Sequence, residues 1–142
     1  MKRVIDSSTA FKWVVPEIDS DKAIQVRDDH RSGLIDLLAP DIFHAEMASS
    51  LLSAERKGRI VDFEPLLDEV ISEGVRLHDT NLLLPHVRKI HSSITTGTRV
   101  SLYDVLYVAL AEREGCEFIS ADTRLCNALG KSYPFIVALS SL

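Results

Sequence analysis

The sequence predicts an α/β protein of three layers, α/β/α, on a central parallel sheet of about five strands. Three observations predict it. Short β-type apolar runs alternate with longer helical stretches along the 142 residues. Strands separated by helices need crossover connections, which make the strands parallel and put helices on both faces of the sheet. The composition, 46% hydrophobic and 26% charged with 6 Gly and 5 Pro, excludes disordered, collagen-like and low-complexity classes. At this length a single domain over residues 1–142 is expected.

Each element has a local cause. Residues 2–6 read as a strand ending in an acid, and Ser7-Ser8-Thr9 offers hydroxyls to cap the helix that follows. A polar helix is expected over 19–32, with Ala23, Ile24 and Val26 inward. Leu34 to Ala39 reads as the second strand, stopped by Pro40. Asp41 to Lys57 is a long helix ended by Gly58. Phe63, Leu66, Leu67, Val70 and Ile71 recur at helical spacing within 61–73, and Gly74 introduces a short strand from Val75 to His78. Leu82 to Ile94 reads as helical, broken near Gly97. Ser101 opens a helix that runs to Glu114 and stops at Gly115. A strand over 117–121, a helix from Asp122 to Leu129 and a strand from Phe135 to Ala138 complete the chain.

No apolar run approaches the ~18 residues of a membrane span, and Asp6 interrupts any signal-like stretch, so a cytoplasmic protein is expected. Cys116 and Cys126 lack metal or redox spacing and read as buried, reduced thiols. The net charge of −5, from 16 basic and 21 acidic residues, argues by itself against a nucleic-acid partner.

Four of those acids stand in unusual places. In α/β folds ligands gather beyond the carboxyl ends of the strands, where Asp6 and Asp122 are expected. Asp104 is the one charged residue of Ser101–Ala111, and the helical wheel sets it between Val108 and Ala111 with Tyr107 nearby. A carboxylate there costs several kcal/mol unless it is paired or binds a cation. Glu46 lies inside the apolar arc of its helix, between Ile42 and Phe43. Ordinary structural roles stand beside these readings. Asp104 has capping-box spacing from Ser101, Asp6 and Asp122 suit helix N-caps, and Glu46 could carry its head to water along a buried stem.

Converging carboxylates repel unless cations neutralise them. Four oxygen donors without Cys or a His pair suit Mg²⁺ or Mn²⁺, not zinc. Without these four acids the balance is 16 positive to 17 negative, which removes much of the objection to a phosphate ligand. Lys12, Arg88, Lys89, Arg99, Arg124 and Lys131 are candidate phosphate contacts, Arg124 foremost because it lies two residues from Asp122. Other chemistries lack their residues. His44-x-Glu46 has no accompanying Pro-Cys-x-x-Cys, the five histidines lack paired ligand spacing and most read as surface or capping residues, and no Walker A, GxGxxG or GxSxG is present.

In this order the blocks resemble the PIN domain, the metal-dependent ribonuclease fold of VapC-type toxins in toxin–antitoxin pairs. Asp6-Ser7-Ser8 resembles the family's opening acid and hydroxyl neighbour, and Ala39-Pro40 followed by Glu46 is similar to its second block. Asp104-Val-Leu-Tyr-Val-Ala-Leu-Ala111 resembles the third block almost letter for letter, and Ile119-Ser120-Ala121-Asp122-Thr123-Arg124-Leu125 the fourth. Ser49 departs from the pattern, since many relatives carry Asn there. The resemblance implies that Asp6, Glu46, Asp104 and Asp122 hold Mg²⁺ or Mn²⁺, with Asp6 and Asp104 as direct ligands. It implies that Ser7 and Ser120 orient the acids or the water; from the charge argument, Arg124, Lys12 and Arg99 are the expected RNA contacts. The implied reaction is in-line attack of metal-activated water on an RNA phosphodiester. An antitoxin partner and a homodimer are implied as well. The alternatives are a non-catalytic PIN-like module binding RNA or protein, or a related DNA-directed nuclease.

Overall fold

The computed structural model describes residues 1–94 and 99–142; the break expected near Gly97 lies outside the described residues. The chain runs β1 (Lys2–Ile5), α1 (Ser7–Val14), α2 (Ser20–Arg31), β2 (Asp36–Pro40), α3 (Phe43–Arg56), α4 (Phe63–Ser72) and β3 (Arg76–His78). It continues with α5 (Leu84–Ser92), α6 (Leu102–Glu114), β4 (Glu117–Ser120), α7 (Thr123–Leu129) and β5 (Ile136–Ala138). The five strands form one sheet in the order β3-β2-β1-β4-β5, every neighbouring pair parallel, as the alternation of elements predicts.

Burial explains the strand sequences. Val4 and Ile5 point to opposite faces of the sheet, and both are fully buried, so helices cover both sides. Leu37, Leu38, Ala39, Phe118 and Ile119 are likewise at zero exposure, which is why these strands read as continuous apolar runs. α6 packs across β1, β2 and β4. Its residues Val105 to Ala111 are all buried, as expected of a helix apolar on nearly every side.

The order places β1 at the centre, with the chain winding outward to β3 and then crossing to β4 on the other side. Such a reversal opens a crevice at the carboxyl ends of the strands beside it. Ile5 pairs with Ile119, so the loops leaving β1 and β4 emerge side by side.

Several boundaries shift by a residue or two from the sequence reading, and those around β2 and α5 have a clear cause. The second strand begins at Asp36, because Gly33 turns through a left-handed φ of 81° and the amides of Leu34 and Ile35 both return to Asp29 O. Pro40 closes that strand from within. The helix expected from Leu82 is a 3₁₀ turn over Thr80–Leu82 followed by α5, with Pro85 in the first turn of α5, where its missing N–H costs nothing. Cys116 and Cys126 are free and half-buried. His30 is half-buried, and its Nδ1 accepts from Leu37 N at 3.3 Å while its Nε2 lies 3.0 Å from Glu73 O. No helix among the described residues is long and apolar enough to cross a membrane.

Candidate active site

Asp6 follows β1 directly and is the N-cap of α1, with Oδ1 accepting from Thr9 N at 3.1 Å. The hydroxyls expected to cap this helix serve the acid instead. Ser8 Oγ donates to Asp6 Oδ1 at 2.6 Å, Thr9 Oγ1 lies 3.3 Å from the same oxygen, and Ser120 Oγ donates to Oδ2. Only 7% of Asp6 is exposed. Burial pushes its carboxyl above the usual range against the pull of those hydrogen bonds, and the charge of Asp122 adds to the rise.

Ser8 and Ser120 also stitch the two strand ends together. Ser8 Oγ accepts from Ala121 N, and Ser120 Oγ from Asp122 N, each at 3.1 Å. Of the two hydroxyls beside Asp6, the one that bonds its carboxylate is Ser8, whereas the sequence reading names Ser7. Ser8 faces back toward its own N-cap and the β4 loop, while Ser7 makes no side-chain hydrogen bond among the described residues.

Asp122 is the N-cap of α7, its Oδ1 accepting from Arg124 N at 3.0 Å and Leu125 N at 3.3 Å. Asp104 closes a capping box: Asp104 N donates to Ser101 Oγ at 3.1 Å, and Ser101 N to Asp104 Oδ2 at 3.0 Å. Both ordinary roles weighed from the sequence are thus realised, and each leaves one carboxylate oxygen without a helix N–H.

Glu46 projects from the first turn of α3 and is half-buried. Tyr107 of α6 donates its hydroxyl to Glu46 Oε1 at 2.6 Å. The Tyr107 ring is fixed by stacking on Phe118 of β4, with centroids 5.7 Å apart and planes at 14°. Desolvation raises the Glu46 carboxyl, the Tyr107 hydroxyl opposes this, and the charges of Asp6 and Asp104 raise it further. Desolvation and the same three acids push the Tyr107 phenol far above its ordinary value, so it stays a donor. Cys126, on α7, is pushed up to about 11 by burial and by Asp6 and Asp122, which leaves it an unreactive thiol.

The fold therefore brings Asp6 within electrostatic reach of Glu46 and Asp122, and Glu46 within reach of Asp104. It does not draw them into one ready ligand set. Among the described residues no three Asp, Glu, His or Cys side chains form a group that could hold a metal ion. The physical reason is visible in the hydrogen bonds: the three aspartates are satisfied by donors at their helix starts, and Glu46 is turned toward Tyr107. By donor chemistry the site still fits a hard divalent cation, since it offers carboxylates whose mutual repulsion and burial a positive charge would offset.

The basic candidates separate. Arg124 is exposed and pairs with Asp122 at 3.7 Å. Lys12 is mostly buried and pairs with Glu17 at 3.3 Å, so a phosphate reaching it would compete with that carboxylate. Arg99 is exposed. Ser8 and Tyr107 are the residues that sequence reasoning missed. A signal existed for each: Ser8 is a hydroxyl two residues after a strand-end acid, and Tyr107 is a phenol one turn from Asp104 in an apolar helix, where it needs a partner.

Comparison with known proteins agrees with this architecture. The fold is similar to the crystal structure of PAE2754 from Pyrobaculum aerophilum, with a TM-score of 0.65 and 19% identity, covering 99% of this chain and 94% of that one. Among curated proteins none matches. The model of the PIN domain matches residues 3–130, and the chain belongs to the PIN domain family, whose members are generally nucleases.

Proposed function

We propose that this chain is a metal-dependent endoribonuclease, with Asp6, Glu46, Asp104 and Asp122 as the acids that would hold Mg²⁺ or Mn²⁺. The observation that carries this reading is the burial of Asp6 at the end of the central strand, within reach of the charges of Glu46 and Asp122. A fold that only needed a helix cap there would not need to bury it with a second acid, Asp122, whose charge adds to the rise of its pKa. When bound, a divalent cation supplies Lewis acidity, which lowers the pKa of water and offsets charge at a phosphoryl centre.

The protein's own residues supply orientation. Ser8, Thr9 and Ser120 hold the Asp6 carboxylate from both oxygens. Tyr107 holds Oε1 of Glu46, and Oε2 takes no hydrogen bond among the described residues. With its pKa raised, Glu46 is suited to take a proton from an attacking water. Arg124 and Arg99 are exposed cations available to phosphates.

The test is cleavage of a labelled RNA with Mg²⁺, Mn²⁺ or EDTA, alongside Asp6→Asn and Asp104→Asn. Loss of metal-dependent cleavage in the variants is expected; unchanged cleavage in both would overturn the site. A second reading, a PIN-like module that binds RNA or protein without cutting, is favoured by the capping roles of Asp6, Asp104 and Asp122. It predicts EDTA-insensitive binding and no products, and a matched DNA substrate separates the DNA-directed alternative. The likeness to VapC-type toxins extends the proposal to a homodimer held by an antitoxin in the cytoplasm, which growth arrest on expression and rescue by an adjacent gene would test.

A further inference from the structure

A groove of about 470 Å³ lies beside the acids, walled by Ser8, Ser49, Ser53, Lys12, Glu17 and Arg59. Ser8 belongs both to this groove and to the hydrogen bonds of Asp6, so groove and acids share a wall. Two cations converge there on one carboxylate. Glu17 Oε1 takes Lys12 Nζ at 3.3 Å, and Oε2 takes Arg59 Nη2 at 2.8 Å. Lys12 is held further by Ile18 O at 2.8 Å, and the Arg59 guanidinium sits 5.6 Å above the Phe11 ring.

This cluster carries a local charge of +1 in a chain of net charge −5. The cations are fixed in place before any ligand arrives, and the serines add neutral donors. That is the chemistry of a phosphate cradle. Glu17 occupies the position a phosphate would take between the two cations, and its side chain, 28% exposed, has a route to water. Arg59 is 45% exposed and presents a planar fork that matches phosphate oxygens.

We propose that this groove is a subsite for a backbone phosphate of single-stranded RNA, with Lys12 and Arg59 as donors and Glu17 as the internal anion the phosphate displaces. The substrate class rests on the nuclease reading; the subsite rests on the cluster. Glu17 thereby sets the threshold for RNA entry, because every bound phosphate competes with a carboxylate already in place.

Fluorescence anisotropy of a labelled single-stranded RNA, in EDTA so that binding is read without cleavage, tests it. Arg59→Ala and Lys12→Ala are expected to weaken binding about tenfold each and to reduce the salt slope by about 0.7, one single-strand phosphate contact. Glu17→Gln is expected to tighten binding at least about threefold by releasing both cations. Lys2→Ala removes a cation paired with Glu114 at the amino end of β1, the opposite end from Asp6, and is expected to change nothing. If Arg59→Ala fails to fold, Arg59→Lys, which keeps the charge, should bind more weakly than wild type and keep the slope. The subsite is overturned if Arg59→Ala and Lys12→Ala both behave like Lys2→Ala, or if Glu17→Gln weakens binding. Arg59-dependent binding without any cleavage would uphold the subsite and sink the nuclease reading. Asp6-dependent cleavage with intact binding in the groove variants would do the reverse.

Discussion

Tyr107 and Glu46, 61 residues apart in sequence, meet through a 2.6 Å hydrogen bond that joins α6 to α3 above the carboxyl end of the sheet. The phenol is buried and stacked on Phe118, so its direction is set by the core and Glu46 takes its orientation from it. Removing the hydroxyl with Tyr107→Phe leaves the stacking intact. The expected stability loss is about 1 kcal/mol, the net worth of one hydrogen bond. Because the hydroxyl lowers the Glu46 pKa, the variant should also need more Mg²⁺ and a higher pH for cleavage; equal metal and pH dependence would show that Tyr107 only packs.

Serine substitutions separate the two hydroxyls beside Asp6. Ser8→Ala removes a donor to Asp6 and the acceptor of Ala121 N, and should cost about 1–3 kcal/mol in denaturant melts. Ser7→Ala should stay within about 0.5 kcal/mol of wild type, as substitutions away from such features do. Comparable losses for the two would contradict the hydrogen bonding described for Ser8.

Asp6 makes stability depend on pH in a defined direction. Its folded pKa is raised by burial, so the folded state holds the proton more tightly than the unfolded chain. Its contribution is therefore most favourable below the unfolded value of about 4, and is lost as pH rises through the folded value. Asp6→Asn removes that loss while keeping an acceptor for Thr9 N. The melting temperature of Asp6→Asn minus that of wild type should grow from pH 4 toward neutrality. A difference independent of pH would argue that Asp6 is not strained by its burial.

Metal linkage gives a further measurement. A cation that binds only the folded state raises the melting temperature in proportion to the logarithm of its excess over Kd. Mg²⁺ or Mn²⁺ should therefore stabilise wild type, and neither Asp6→Asn nor Asp104→Asn should respond. Without metal, Asp104→Ala should lose about 1 kcal/mol through its capping box, whereas Asp104→Asn keeps an acceptor for Ser101 N and should lose less. A metal response retained by Asp104→Asn would remove that residue from the site.

Much of the fold was legible because its causes are local. Apolar runs flanked by Ser, Asp, Gly and Pro announce the strands, the helix starts and the stops, as Asp122 before α7 and Gly115 after α6 illustrate. The displaced start of β2 was not, because it depends on two amides returning to Asp29 O after a left-handed glycine.

The acids divide along the same line. Spacing sets Glu46 and Asp104 on apolar helix faces and Asp6 and Asp122 at strand ends, and it is the four together that stand out in the sequence. Which donor each acid meets depends on contacts between distant segments. Ser120 reaching Asp6, Tyr107 reaching Glu46, and Glu17 gathering Lys12 and Arg59 exist only once the sheet order has set β4 beside β1 and α3 beside α1. A side chain's neighbours along the sequence determine its secondary structure; its neighbours across the fold determine its charge, its orientation and what it can bind.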